Sequence, residues 1–322
     1  MPRKPFPPQK PAGGQQRQRS ILELDRFNAA SLRQWESRSA DLNQLEDVLH
    51  FSIEPARRQK RQELIAALQS QASVQVDLTN WVRIVTYQYS REPLSSAGSL
   101  HGYGQRFNAG VDLDANILNP WPALYLAENY ETAFREKFQL EHDGNVDGLS
   151  ARELALETQV SHLTVFLRGN VTGVFDMTGH EKLDALAKVL ASIKLPQEAQ
   201  RIMKRLQLTN KDLYMVKTGK QLHDLATRKN WRIKPVQFGL PAESHITAEL
   251  VWAAGFAGIL YPSSKGTGKC LALFPERLDN GSYVELRDQP PLDVRHLRLD
   301  SDTAGQLAGW DSLPVNYRAR PK

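Results

Sequence analysis

The sequence predicts an α+β fold in which helical segments and short strands do not alternate as regular βαβ units. Segments with apolar residues at helical spacing lie near the N-terminus and in the middle of the chain, and segments rich in β-branched and aromatic residues lie between and after them. The 322 residues are 41% apolar and 24% charged, which is enough for one large domain or two modest ones. This composition excludes a wholly disordered or fibrous protein.

Residues 1–20 form a segment of their own, which we expect to be a disordered basic tail. They hold five prolines, five basic residues and no acidic residue, so they carry the whole net charge of +5. The remaining chain is balanced, with as many acidic as basic residues. The charge therefore does not favour direct binding of nucleic acid as the main function.

The rest of the chain divides into helical and extended segments. Region 21–78 has apolar residues at helical spacing and is predicted to be a packing or dimerising layer, and 181–235 is predicted to be a second helical region. The domain with the chemistry is expected over 79–322. The predicted strands are 81–89, 123–129, one or two strands within 162–178, and the pair 258–263 and 269–275; the further predicted helices are 130–140 and 244–256.

Several common functional motifs are absent from the sequence. Cys270 is the single cysteine, which excludes an intrachain disulfide and a Cys-rich zinc site. The run Gly266–Lys269 lacks the flanking residues of a phosphate-binding loop, because Ser263 and Cys270 stand where Gly and Ser or Thr are required. No apolar run is long enough to span a membrane, and the N-terminus lacks the apolar part of a secretory signal. We therefore expect a cytoplasmic protein with no metal.

Four polar residues remain as candidates for a functional site. Arg83 lies inside an apolar strand, and Glu136 lies near the apolar side of its predicted helix. A charge in apolar surroundings is costly unless it is paired or bound to a ligand. Arg106 lies in a Gly-rich loop, and Ser263 follows Pro262 at the end of an apolar strand, where side chains often reach a binding site.

In their order and spacing, these residues resemble the RES-domain family, named for Arg, Glu and Ser. The resemblance covers about 80–280. Two departures in the Gly-rich loop are Gln105 and Phe107, which replace Gly and Trp. The matching features are Arg83 in a strand, Gln105-Arg106-Phe107-Asn108, Tyr125 in ALYLAEN, Ala133-Phe134-Arg135-Glu136, Gly258-Ile259-Leu260-Tyr261-Pro262-Ser263, and a strand that ends in Pro275.

The resemblance implies a small split antiparallel sheet with flanking helices, similar to ADP-ribosyltransferases, around a cleft for NAD⁺. It also implies a transferase that breaks the bond between nicotinamide and ribose, with NAD⁺ as substrate and inorganic phosphate as an acceptor. Glu136, Arg83 and Ser263 are then the expected catalytic residues. The residues expected to bind NAD⁺ are Arg83, Arg106, Tyr87, Asn108 and Tyr125.

The resemblance further implies a bacterial toxin of a toxin–antitoxin pair, held by an Xre-type antitoxin with a DNA-binding helix-turn-helix. A homo-oligomer is also left open, and either 21–78 or 181–235 could cover the site. Water or a protein side chain could replace phosphate as the acceptor. Two alternatives therefore remain, a protein ADP-ribosyltransferase and a non-enzymatic RES-like binding module.

Overall fold

The computed structural model describes residues 29–139, 145–146, 149–150, 161–209, 213, 215–288 and 293–309. The expected basic tail, 1–20, lies outside these residues. Within them, the helices are α1 (Ala29–Gln59), α2 (Arg61–Gln69), α3 (Tyr130–Phe138), α4 (Asp184–Leu190), α5 (Gln197–Leu206), α6 (Gly219–Ala226), α7 (Ile233–Phe238), α8 (Glu243–Ala253) and α9 (Ala304–Ala308).

The strands of the described residues form one large sheet and two small hairpins. The hairpins are β3 with β4 and β6 with β7. The strands are β1 (Val74–Asp77), β2 (Trp81–Thr86), β3 (Gly104–Gln105), β4 (Asn108–Ala109), β5 (Leu124–Ala127), β6 (Asn145–Val146), β7 (Leu149–Ser150), β8 (His162–Asp176), β9 (Gly258–Pro262), β10 (Lys269–Leu273), β11 (Tyr283–Leu286) and β12 (Arg298–Leu299).

The large sheet closes on itself through its longest strand, β8. The strand order is β12-β11-β8-β2-β5-β10-β9, and β1 also pairs with β8. The neighbours along this path are antiparallel, but β9 returns to pair in parallel with the last residues of β8, from Val174 to Asp176. Gly169 and Gly173, both with positive φ, lie between the two halves of β8, where a residue with a side chain would be strained. The ring β8-β2-β5-β10-β9 is thereby complete.

The strands β5, β9 and β10 are buried on both faces of the sheet, and their residues are apolar almost throughout. Along β10, Cys270 and Ala272 face the core beneath α2, α4, α6 and α8, which we call the helix-side core. Leu271 and Leu273 face the opposite core, to which α9 contributes Leu307. The alternation of side chains along a strand produces these two layers.

The N-terminal helix α1 packs on α5 rather than on the sheet. Leu45 and Leu49 of α1 meet Ile202 and Met203 of α5 in a separate apolar cluster. At the other end of α1, Arg57 forms an ion pair with Glu249 of α8 over 3.7 Å. These contacts attach the N-terminal helix to the segment between β8 and β9.

The structure confirms the predicted α+β class, and it confirms the helix after residue 129 and the strand pair β9–β10. Residues 162–178 hold a single long strand. One strand of the large sheet was missed, because β1 lies inside the region predicted to be helical. It has only four residues, with one of them buried, so it carries little pattern. Within the described part of the chain, no helix is long and apolar enough to cross a membrane.

Candidate active site

A cavity of about 410 Å³ opens on the helix-side core, between the sheet, α3 and the segment that precedes α7. Arg83 of β2, Tyr125 of β5 and Glu136 of α3 line it, together with Arg106 from the tight turn between β3 and β4. Four of the residues predicted from the sequence therefore lie around one cavity. A fifth, Ser263, reaches it through its contact with Glu136.

The carboxylate of Glu136 is held by the loop that joins β9 to β10. Ser263 Oγ donates to Glu136 Oε1 over 2.6 Å, and the Ser264 N–H donates to the same oxygen over 2.9 Å. Ser263 Oγ itself accepts from the backbone N–H groups of Lys265 and Gly266, at 3.1 and 3.0 Å, which fixes its proton towards the carboxylate. Glu136 Oε2 accepts no hydrogen bond from the described residues, and Glu136 lines the cavity.

The protein provides hydrogen-bond acceptors for only some of the N–H groups of the Arg83 guanidinium. Arg83 donates to the carbonyl oxygens of Tyr125 and Ser95, at 3.1 and 3.0 Å. Its Nε is buried and lacks a partner, and no carboxylate of the described residues lies within ion-pair distance. Burial lowers the pKa of Arg83 to about 10, since a guanidinium away from water and without a counter-ion is destabilised. The residue has both charge and N–H groups left for a ligand.

Arg106 is buried, and it clamps two loops together. Its Nη1 donates to the carbonyl of Arg228 over 2.6 Å, and its Nη2 donates to Ser264 Oγ over 2.9 Å. Ser264 in turn donates its N–H to Glu136. Arg106 therefore brings positive charge to the cavity and also supports the loop that orients the carboxylate.

Tyr125 and Asn108 support the Arg106 turn from below. The Tyr125 hydroxyl donates to Asn108 Oδ1 and accepts the Phe107 N–H, both at 2.9 Å. Burial raises the pKa of Tyr125 well above its ordinary value, so the hydroxyl stays protonated and donates to Asn108. Tyr125 also lines the cavity, but Asn108 does not: it is fully buried, and its amide donates to the carbonyls of Ser99 and Trp121. In this structure Asn108 supports the loop and does not line the cavity.

The structure does not bring Tyr87 to the cavity. Strand β2 ends at Thr86, and the chain turns into a short 3₁₀ helix over Tyr87–Tyr89. The turn breaks the alternation of the strand, so Tyr87 is 61% exposed, and Tyr89 lines the cavity instead.

Lys137, Trp231 and Arg232 are among the lining residues that sequence reasoning missed. Lys137 follows Glu136 on α3, and its Nζ donates to Thr86 Oγ1 over 3.1 Å. Burial, with a contribution from Arg83, lowers the pKa of Lys137. Because Lys137 is adjacent to Glu136 in the sequence, its place in the site could have been predicted. Trp231 and Arg232 come from the helical segment between β8 and β9, where no local pattern distinguishes them from other residues of the segment.

The lining of the cavity carries more positive than negative charge. Four cationic side chains line it, against two carboxylates. Glu92, one of the two, lies 2.9 Å from His296. Among the described residues, none of the four cations forms an ion pair: they are Arg83, Arg106, Lys137 and Arg232. Unpaired cations around a concave site attract an anionic ligand. No cluster of ligand side chains for a metal occurs in the described part of the chain.

Behind the Arg106 turn, the buried His245 of α8 holds the backbone of Gln105. His245 Nε2 donates to the Gln105 carbonyl over 2.8 Å, and its Nδ1 accepts the Ala242 N–H at 3.4 Å. Both contacts require the neutral ring with its proton on Nε2. Burial lowers the pKa of His245 to about 4, against the opposing effect of Glu243. The turn that carries Arg106 therefore rests on an uncharged histidine.

Comparison with known proteins identifies a family to which the chain is similar. The family model described as the RES domain matches residues 80–302, which hold every residue discussed for the cavity. No curated protein matches the chain. A solved structure with a similar chain is the M. tuberculosis MbcT–MbcA toxin–antitoxin complex. It is 16% identical, covers 76% of this chain and 97% of that chain, and has a TM-score of 0.39.

We predict that His245 makes the protein sensitive to mild acid. Its pKa is about 4 in the folded chain against 6.5 as its ordinary value, so the unfolded state binds the proton more tightly. The stabilisation is complete above pH 6.5 and is lost as the pH falls to 4. The difference in unfolding free energy between wild type and His245→Gln should shrink by about 3 kcal/mol from pH 7 to pH 4, measured by denaturant titration. His180→Gln, at a half-exposed position, serves as the control; an undiminished difference for His245→Gln would contradict the assignment.

Proposed function

Because the chain belongs to the RES-domain family, we propose that it is an NAD⁺-degrading enzyme that cleaves the bond between nicotinamide and ribose and transfers the ADP-ribosyl group to inorganic phosphate. The observation that carries the proposal is the fixed carboxylate of Glu136, with one oxygen open, in a cavity lined by four unpaired cations. NAD⁺ matches this arrangement, since it presents an anionic pyrophosphate and a ribose at which positive charge develops.

In the proposed reaction, Glu136 stabilises the positive charge of the transition state. The bond from ribose C1′ to the nicotinamide nitrogen breaks, and nicotinamide leaves as a neutral base with the bonding electron pair. The ribose then resembles an oxocarbenium ion, as in the cleavage of glycosides. The open oxygen of Glu136 accepts a hydrogen bond from a ribose hydroxyl. Ser263 and the Ser264 N–H keep the carboxylate in place, so little reorganisation is required during the reaction.

Arg83 is proposed to bind the pyrophosphate. Its two hydrogen bonds to backbone carbonyls fix the direction of the guanidinium but leave three of its five N–H groups without a partner among the described residues. A planar guanidinium binds phosphate oxygens in a bidentate manner. Binding of an anion also relieves the cost of holding this charge away from water.

Charge favours phosphate as the acceptor over water or a protein side chain. The lining holds two more cations than carboxylates, and the cationic nicotinamide ring of NAD⁺ offsets half of the pyrophosphate charge, so positive charge remains in the loaded cavity and favours a second anion. A phosphate oxygen forms a bond to the ribose carbon that nicotinamide leaves, which is numbered C1″ in ADP-ribose, and the product is ADP-ribose-1″-phosphate. With a protein acceptor, the same site would instead act as a protein ADP-ribosyltransferase.

We also propose that the enzyme is the toxin of a toxin–antitoxin pair that acts in the cytoplasm. Unrestrained cleavage of NAD⁺ depletes the cell that makes the enzyme, so an inhibitor must accompany it. An Xre-type antitoxin with a helix-turn-helix is the partner that fits this proposal.

The first test of the activity is Glu136→Gln. The amide can keep the contacts to Ser263 and Ser264 but lacks the negative charge, so the fold should persist while NAD⁺ turnover falls at least about a hundredfold. The measurement is release of nicotinamide by the purified protein, with and without inorganic phosphate. Glu131→Gln is the matched control, because Glu131 lies on the same helix with its side chain 72% exposed.

The same assay separates the alternatives. With NAD⁺ labelled in the adenosine part, label in a phosphate-dependent free product supports phosphorolysis, whereas label on protein supports a protein ADP-ribosyltransferase. Turnover in Glu136→Gln equal to that of Glu131→Gln would contradict the site. If the wild-type protein turned over no NAD⁺ under any acceptor condition, the non-enzymatic RES-like binding module would be the remaining alternative.

The second test concerns binding. We expect Arg83→Ala to raise the KM for NAD⁺ by about tenfold or more with a smaller change in kcat, because a charge-assisted hydrogen bond to the substrate is lost. Steady-state kinetics measures both constants. Arg168→Ala is the control, since Arg168 is also an arginine on a strand but pairs with Glu285 at the surface. An unchanged KM would assign the pyrophosphate to Arg106 instead.

The third test is expression in a bacterial host without any partner. Growth arrest with a fall in cellular NAD⁺, both abolished by Glu136→Gln, is the expected result for a free toxin. Normal growth despite an active purified enzyme would show that the chain restrains itself. Normal growth with an inactive enzyme would refute the toxin proposal.

A further inference from the structure

The helical segment between β8 and β9, residues 177–257, contributes two neighbouring side chains to the cavity, Trp231 and Arg232. The guanidinium carbon of Arg232 lies 4.7 Å from the centroid of the Trp231 ring. Arg232 Nη2 also donates to Gln105 Oε1 over 3.1 Å. Stacking and one hydrogen bond therefore fix the direction of this cation in the cavity lining.

The platform beneath this cation is itself rigid. Trp231 is buried, and its ring meets the edge of His245 at a centroid distance of 5.3 Å. The backbone carbonyl of Gln105 is held by the same histidine. Both groups that orient Arg232 thus rest on one buried side chain of α8.

Arg232 has no counter-ion among the described residues, and it is exposed to solvent. Partial burial and the neighbouring charge of Arg106 lower its pKa, and Glu136 opposes this effect. Two guanidinium groups thus lie near each other on one wall, and the amino groups of Arg106 are already bonded to Arg228 and Ser264. Arg232 Nε and Nη1, by contrast, donate to no group among the described residues. Like charges held together in this way are stabilised when an anion binds between them.

We propose that Arg232, oriented by Trp231 and Gln105 and assisted by the charge of Arg106, binds a phosphate group, so that the helical segment between β8 and β9 forms part of the ligand-binding site. The group is either inorganic phosphate or a phosphate of the nucleotide. The inference rests on the proposed function for this choice of ligands. Arg83 and Lys137 form the other cationic end of the cavity, so the two ends can hold two separate anionic groups.

The test is binding of inorganic phosphate and of ADP, each titrated alone into the full chain by calorimetry at low salt. Arg232→Gln should weaken binding of at least one probe by about ten- to a hundredfold, the loss expected for a hydrogen bond to a charged group. Arg201→Gln is the matched control. It removes the same charge from the same segment, on α5, where the side chain is 73% exposed and pairs with Glu198. The control should change affinity less than about twofold.

A second variant, Gln105→Ala, keeps every charge but releases the guanidinium of Arg232 from its hydrogen bond. It should weaken the same probe by a smaller factor of about two to five. Equal thermal unfolding midpoints for all variants exclude a general loss of structure.

The pattern of losses identifies the ligand. Weakened binding of phosphate alone makes Arg232 part of an acceptor subsite, and weakened binding of ADP alone makes it part of the nucleotide subsite. Losses in Arg232→Gln no larger than those in Arg201→Gln would overturn the inference. Because neither probe is turned over, the result is independent of NAD⁺ cleavage: a wild-type chain that binds the probes but leaves NAD⁺ intact would refute the proposed function only.

Discussion

The contact between the Glu136 carboxylate and the loop after β9 is the interaction on which the site depends. It joins α3, which follows β5, to the turn between β9 and β10. In the sheet, β10 lies between β5 and β9. The Asn129 side chain caps the start of α3 by accepting the Thr132 N–H at 2.9 Å. The helix therefore begins at a defined residue, and the carboxylate two turns later reaches the Ser263 hydroxyl.

Within the turn Gly266-Thr267-Gly268-Lys269, Gly268 has a structural purpose. A Cβ atom on Gly268 would lie 2.9 Å from Asn129 Nδ2 and would also collide with Thr132. The turn packs directly on the first turn of α3, and only a residue without a side chain fits there. This segment, which partly matches a phosphate-binding loop, thus allows the backbone of the turn to pack closely on α3. In the same turn, the N–H groups of Lys265 and Gly266 donate to Ser263 Oγ.

Local patterns in the sequence account for most of the elements that carry the site. Strand β10 and helix α3 were predictable because their apolar residues have the spacing that each structure requires, and Arg83 and Glu136 stood out as charges in apolar segments. Tyr87 was misplaced because the end of β2 depends on the following turn, which the apolar run does not mark. Asn108 was assigned to the ligand because the sequence cannot tell a buried amide that supports a loop from one that faces a cavity. Trp231 and Arg232 were beyond prediction, since tertiary packing alone brings their segment to the cavity.

Closure of the sheet by β9 determines the stage of protein synthesis at which the site can form. Glu136 and Ser263 are 127 residues apart in the chain, and the parallel pairing of β8 with β9 spans the whole helical segment between them. Contacts at such separations require long loops to close, which slows folding relative to local structure. During synthesis, the carboxylate of Glu136 emerges long before the serine that orients it. A growing or prematurely ended chain therefore lacks the cradle, and the competent site exists only once the strands after the helical segment have joined the sheet.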